Sequence, residues 1–105
     1  MRLHDRVAIV TGGGSGIGAA SARALAADGA RVLVADVNDA AAKAVAEEIE
    51  KAGGHGLALQ ADVTRAKDNE AIVERAVAEW GRLDIFFANA GVPQWNMDIE
   101  AVDEE

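Results

Sequence analysis

A chain of 105 residues, half of them apolar, is a single small domain rather than a disordered segment or a multidomain assembly. At that size folding buries roughly two thirds of the extended chain's surface, and with two Trp, two Phe and no Tyr the core must be built from small and branched side chains. A net charge of −8 argues against nucleic-acid binding, and the absence of Cys removes disulfides, thiolate nucleophiles and Cys-ligated metals.

The opening Met1-Arg2-Leu3-His4-Asp5-Arg6 has no apolar run, so neither a signal peptide nor a membrane span is expected, and a soluble cytoplasmic protein is. Val7-Ala8-Ile9-Val10 reads as a first strand. A helix is expected from about Gly16 to Ala27, with Ile17, Ser21 and Leu25 on one face and Gly29 as its left-handed stop. Arg31-Val32-Leu33-Val34-Ala35 forms a second strand, ended by Asp36. The second helix takes Asn38 or Asp39 as N-cap, sets Val45 and Ile49 one turn apart, and stops before Gly53. His55, within Gly53-Gly54-His55-Gly56, reads as part of a solvent-facing turn before a third strand, Leu57-Ala58-Leu59-Gln60.

The third helix begins after Thr64, carries Ile72, Val73, Ala76, Val77 and Trp80 on a broad apolar face, and ends at Gly81. Asp84-Ile85-Phe86-Phe87-Ala88 is the fourth strand. Short, nearly continuous apolar runs suit parallel strands covered on both faces. The pattern is βαβαβαβ, an α/β fold with right-handed crossovers. Beyond Pro93 the sequence turns acidic, with five acids from Asp98 to Glu105, and residues 92–105 read as a tail that is frayed or forms a short helix.

Chemistry concentrates in Thr11-Gly12-Gly13-Gly14-Ser15-Gly16-Ile17-Gly18, placed directly between a strand and a helix. There the first helical N–H groups lack partners and carry partial positive charge, and glycines let a diphosphate approach. Gly12 serves the sharp turn, Gly16 the close approach, and Gly18 the packing of helix on strand. A triphosphate-binding loop would need Lys where Ala19 stands, and a nucleophile elbow would need Gly where Ile17 stands. The alternative is a glycine cluster that merely makes a tight turn. Asp36, eighteen residues after Gly18, stands where a carboxylate reads the adenosine ribose hydroxyls of a dinucleotide. With Ser15 and Val37 both non-basic, that carboxylate favours NAD over NADP; its plainer alternative is a helix-capping or solvated acid.

Thr11-Gly12-x-x-x-Gly16-x-Gly18, then Asp36, Asp62-Val63 and Asn89-Ala90-Gly91, resembles the short-chain dehydrogenase/reductase family from Arg6 to about Gly91. The resemblance implies a partial Rossmann-type doubly wound sheet in the order 3-2-1-4, with residues 1–91 as the NAD-binding half. It places Asp62 and Val63 beside the adenine, and Asn89, Ala90 and Gly91 across a crevice from the glycine loop. Asn89 there either ties strand ends together or takes part in the reaction, the former being the better reading.

The expected cofactor set is Thr11, Gly12, Gly14, Ser15, Gly16, Ile17, Gly18, Asp36, Val37, Asp62, Val63, Asn89, Ala90 and Gly91. No metal ligand and no catalytic residue is expected. His4 and His55 lack metal spacing, and Glu47, Glu48 and Glu50 read as a solvated helix face. Family members resemble one another in a catalytic Ser and a Tyr-x-x-x-Lys pair, none of which maps here; residues 92–105 would begin the substrate-binding half. The expected role is therefore NAD(H) binding within an oxidoreductase acting on alcohols or ketones. A non-catalytic nucleotide-binding module and a self-associating half-fold are the alternatives. An uncovered fourth strand predicts a homo-oligomer.

Overall fold

Seven elements alternate along the chain, in a computed structural model that describes residues 3–89. They are β1 (Val7–Thr11), α1 (Gly16–Ala27), β2 (Arg31–Asp36), α2 (Asp39–Lys51), β3 (His55–Gln60), α3 (Ala66–Trp80) and β4 (Ile85–Ala88). All four strands are parallel, in the order β3-β2-β1-β4. This is the α/β alternation and strand order expected from the sequence. Ala90, Gly91 and the tail over 92–105 lie outside the described residues.

Strand alternation divides the core in two. Ala8, Val10, Val32 and Val34 face α1 and α2, against Ala19, Ala22, Ala42, Val45 and Ile49. Val7, Ile9, Leu33 and Ala35 point the other way, against Ile72 and Ala76 of α3. Covering on both faces explains why β1 is buried at every position, with no polar alternation in its sequence. The small alanines of α1 and α2 let the helices sit close, so the core needs few rings.

Helix ends follow local chemistry. Asn38 caps α2 by accepting the Ala41 N–H at 3.0 Å. Gly81, at φ 83°, ends α3 in the left-handed conformation. The third helix begins one residue later than expected, with Arg65 at its N-cap.

Three local expectations are corrected. The buried face of α1 is Gly18, Ala19 and Ala22, whereas Ile17 is 70% exposed, on the side of the first turn away from the sheet. Val77 also points to solvent, at 43% exposure. His55 and Gly56 are not a turn: they pair with Arg31 and Val32 and extend β3. A Cβ at Gly56 would stand 2.8 Å from the Ala46 carbonyl oxygen, so that glycine serves close helix-on-strand packing. Glu50, on the exposed face of α2, accepts the Gly56 N–H at 2.9 Å. Among the described residues, no helix is long and apolar enough to cross a membrane.

Candidate functional site

The sheet order leaves β2 and β4 on opposite sides of β1, and a crevice opens where the direction of travel reverses. Thr11 stitches this point. It is buried, its Oγ1 donates to the Phe87 carbonyl at 3.5 Å, and it accepts the Asn89 N–H at 3.1 Å. The Asn89 side chain donates to the Gly12 carbonyl at 3.5 Å, which ties the glycine loop to the end of β4.

The loop turns on two left-handed glycines, Gly12 at φ 64° and Gly16 at φ 58°. Gly18 is required by contact: a Cβ there would collide with the Gly12 carbonyl oxygen and stand 2.7 Å from Asn89 Nδ2. Ser15 is the N-cap of α1 and makes no side-chain cap, and the Ala19 N–H bonds its carbonyl at 3.2 Å. The amides of Gly16, Ile17 and Gly18 thus precede the helical ladder and have no partner among the described residues, at the positive end of a helix dipole.

A cleft of about 460 Å³ opens over Gly16 and Ile17. Gly12, Ser15, Gly16 and Ile17 line one side, Asp36 and Val37 the end of β2, Ala61 to Thr64 the β3–α3 connection, and Asn89 the far lip. A second hollow of about 380 Å³ shares Val37, Ala61 and Asp62 and adds Gln60, Arg65 and Asp68.

Two carboxylates line the larger cleft, and both are tied to backbone. Asp36 accepts the Gly14 N–H on Oδ2 and the Asn38 N–H on Oδ1, each at 2.9 Å. Asp62 Oδ1 accepts the Thr64 hydroxyl at 2.6 Å and the Thr64 N–H at 3.0 Å. The Thr64 hydroxyl, then its amide, hold the Asp62 carboxyl below the usual carboxylate range against a smaller opposing effect of desolvation, and Arg65 adds to the lowering. The Asp62 N–H in turn donates to Asp68 at 2.7 Å, and Asn69 donates to the Val63 carbonyl at 2.8 Å.

Of the residues expected from sequence, nine line the cleft: Gly12, Ser15, Gly16, Ile17, Asp36, Val37, Asp62, Val63 and Asn89. Thr11, Gly14 and Gly18 stand behind it as supports. Ala61 and Thr64 also line it and were not anticipated, although a Thr two residues after an Asp is a sequence signal for an Asx turn. His4 pairs with Asp5 at 3.4 Å, and His55 opens β3 at the opposite end of the sheet. Among the described residues no cluster of His, Cys, Asp or Glu could hold a metal ion.

The family model for short chain dehydrogenase matches residues 6–105. Similar curated proteins include an uncharacterised oxidoreductase of Methylorubrum extorquens, 49% identical over 99% of this chain and 42% of its own length. Elsinochrome reductase 1 of Elsinoe fawcettii is 45% identical over 99% of this chain and 39% of its own. A crystal structure of a hydroxysteroid dehydrogenase from Escherichia coli superposes with a TM-score of 0.84 at 40% identity, over 87% of this chain and 39% of that one. The chain therefore spans about two fifths of the length of these relatives.

Proposed function

We propose, from the premise that this chain belongs to the short-chain dehydrogenase family, that it binds a nicotinamide adenine dinucleotide and prefers NAD(H) to NADP(H). One observation carries the reading: Gly16 and Ile17, at the start of α1, and Asp36 line the same cleft. The residues fit such a ligand. Amides of Gly16 and Ile17 hold the diphosphate, and Gly16 leaves the approach free of side-chain atoms. Asp36 accepts the ribose hydroxyls, each of its oxygens keeping a lone pair beyond the one spent on a backbone amide. An extra phosphate at that ribose would face the carboxylate at close range and be repelled. Asp62 and Val63 flank the adenine, and Ile17 and Asn89 lie toward the nicotinamide end.

When bound, the nicotinamide supplies the hydride acceptor or donor of an oxidoreductase acting on alcohols or ketones. This chain binds and orients it. The sequence contains no Tyr, the family's proton-transfer residue, so binding without turnover is the activity proposed for residues 1–105.

Calorimetric titration of the chain with NAD and with NADP tests the reading. NAD is expected to bind at least about tenfold more tightly, the worth of one charge-assisted hydrogen bond. Asp36→Ala should narrow that gap, and unchanged discrimination would remove Asp36 from the site. Formation of NADH from an alcohol by this chain alone would contradict binding without turnover. We further propose that β4, at the end of the strand order, mediates self-association.

A further inference from the structure

The Asp36 carboxylate is gripped from two directions. Gly14 donates its N–H to Oδ2, and Asn38 donates its N–H to Oδ1, both at 2.9 Å. Asn38 is anchored to α2, where its side chain accepts the Ala41 N–H at 3.0 Å. One lone pair on each oxygen is thereby spent, and the direction of the remaining pair is set by the grip.

Gly14 does not line the cleft, and unlike Gly12 and Gly16 its φ is not positive. Neither ligand approach nor backbone conformation accounts for a glycine there. Contact does: a Cβ at Gly14 would stand 2.9 Å from Asp36 Oδ2 and 2.7 Å from the Ala41 Cβ. The first is the same oxygen that the Gly14 amide holds. A side chain would therefore push the carboxylate away from its own hydrogen-bond donor.

We propose that Gly14 is a positioning residue for the dinucleotide, its N–H and its missing Cβ setting the angle at which Asp36 meets the adenosine ribose. Through that angle Gly14 sets the preference for a free 2′-hydroxyl over a 2′-phosphate. This rests on the function proposed above. Displacing the carboxylate costs NAD a charge-assisted hydrogen bond, while it relieves the repulsion that NADP meets. Affinity for NAD should fall more than affinity for NADP.

The test is calorimetric titration with NAD and NADP of the wild type, Gly14→Ala, Asp36→Ala and the double variant. Gly14→Ala is expected to weaken NAD binding roughly tenfold and NADP binding less. In the Asp36→Ala background the same change should alter NAD affinity by less than about twofold, because the two residues act as one unit. Equal losses for both dinucleotides, or an undiminished loss without Asp36, would overturn the proposal and leave Gly14 a residue of the fold. If Gly14→Ala fails to fold, Gly14→Ala combined with Ala41→Gly removes the closest contact with α2, leaving the Ala41 backbone carbon at 3.1 Å, and keeps the clash with Asp36. Reduced discrimination in that variant supports the proposal, and wild-type discrimination overturns it. A wild-type chain that binds neither dinucleotide would bring down the proposed function and this inference with it, an outcome distinct from failure of the variant series alone.

Discussion

Gly18 illustrates how one residue decides between opposing effects. Replacing glycine by alanine within a helix normally stabilises it by about 1 kcal/mol. At Gly18 the new methyl group would strike the Gly12 carbonyl and the Asn89 amide, and the backbone carbonyl lies in a turn with little room to yield. Overpacking of this kind costs about 1–3 kcal/mol, so the clash outweighs the gain in helix propensity. Gly18→Ala is expected to lower the urea midpoint of unfolding; a raised midpoint would show that the loop moves aside freely. At this scale the sequence was informative about Asp36, whose carboxylate does open into the cleft. It was less informative about Thr11 and Gly14, which share the motif yet work from behind the cleft wall, because a spacing pattern does not distinguish lining from support.

Among the elements, β4 is joined to β1 by its ladder and, at its entry, by the Asp84 side chain. The Asp84 N–H donates to the Val7 carbonyl and its Oδ2 accepts the Val7 N–H, both at 2.9 Å. Arg82 binds both carboxylate oxygens at 2.9 Å, and Arg6 stands 3.8 Å away. Burial opposes ionisation of Asp84, but the contacts with Arg82, the Val7 amide and Arg6 together outweigh it and hold the carboxyl below its usual range. A carboxyl lowered on folding stabilises the folded state above its unfolded pKa of about 3.9, and that contribution fades as pH falls through the folded value. Asp84→Asn should therefore cost about 1–3 kcal/mol at neutral pH. The gap from wild type should close in acid, below the ordinary carboxylate range. Urea unfolding at a series of pH values reads this directly, and a gap independent of pH would assign the cost to packing. The sequence located β4 within a residue, yet Asp84 read as part of the strand, whereas its side chain clamps the strand from just outside it.

For the whole molecule, the strand order brings together residues from four separate strand ends: the glycine loop after β1, Asp36 and Val37 at the end of β2, Asp62 to Thr64 after β3, and Asn89 after β4. Parallel strands deliver all their carboxyl ends to one edge, which is why motifs scattered over some eighty residues form one site. The same order puts β4 at one end of the sheet. If β4 mediates self-association, light scattering at micromolar concentration should report a species heavier than the monomer, and a strictly monomeric solution would discard that contact.

The sequence by itself determined the element types, the parallel sheet and most of the cleft lining. Short apolar runs, helix caps and the glycine loop are local signals, with their causes within a few residues of their effects. Other features only the tertiary structure decided. They include the outward Ile17, the entry of His55 and Gly56 into β3 where a turn was expected, and the part Thr64 takes in holding Asp62. The grip on Asp36 by an amide twenty-two residues earlier belongs with them. Each depends on which surface packs against which, and that is set by distances between segments far apart in the chain.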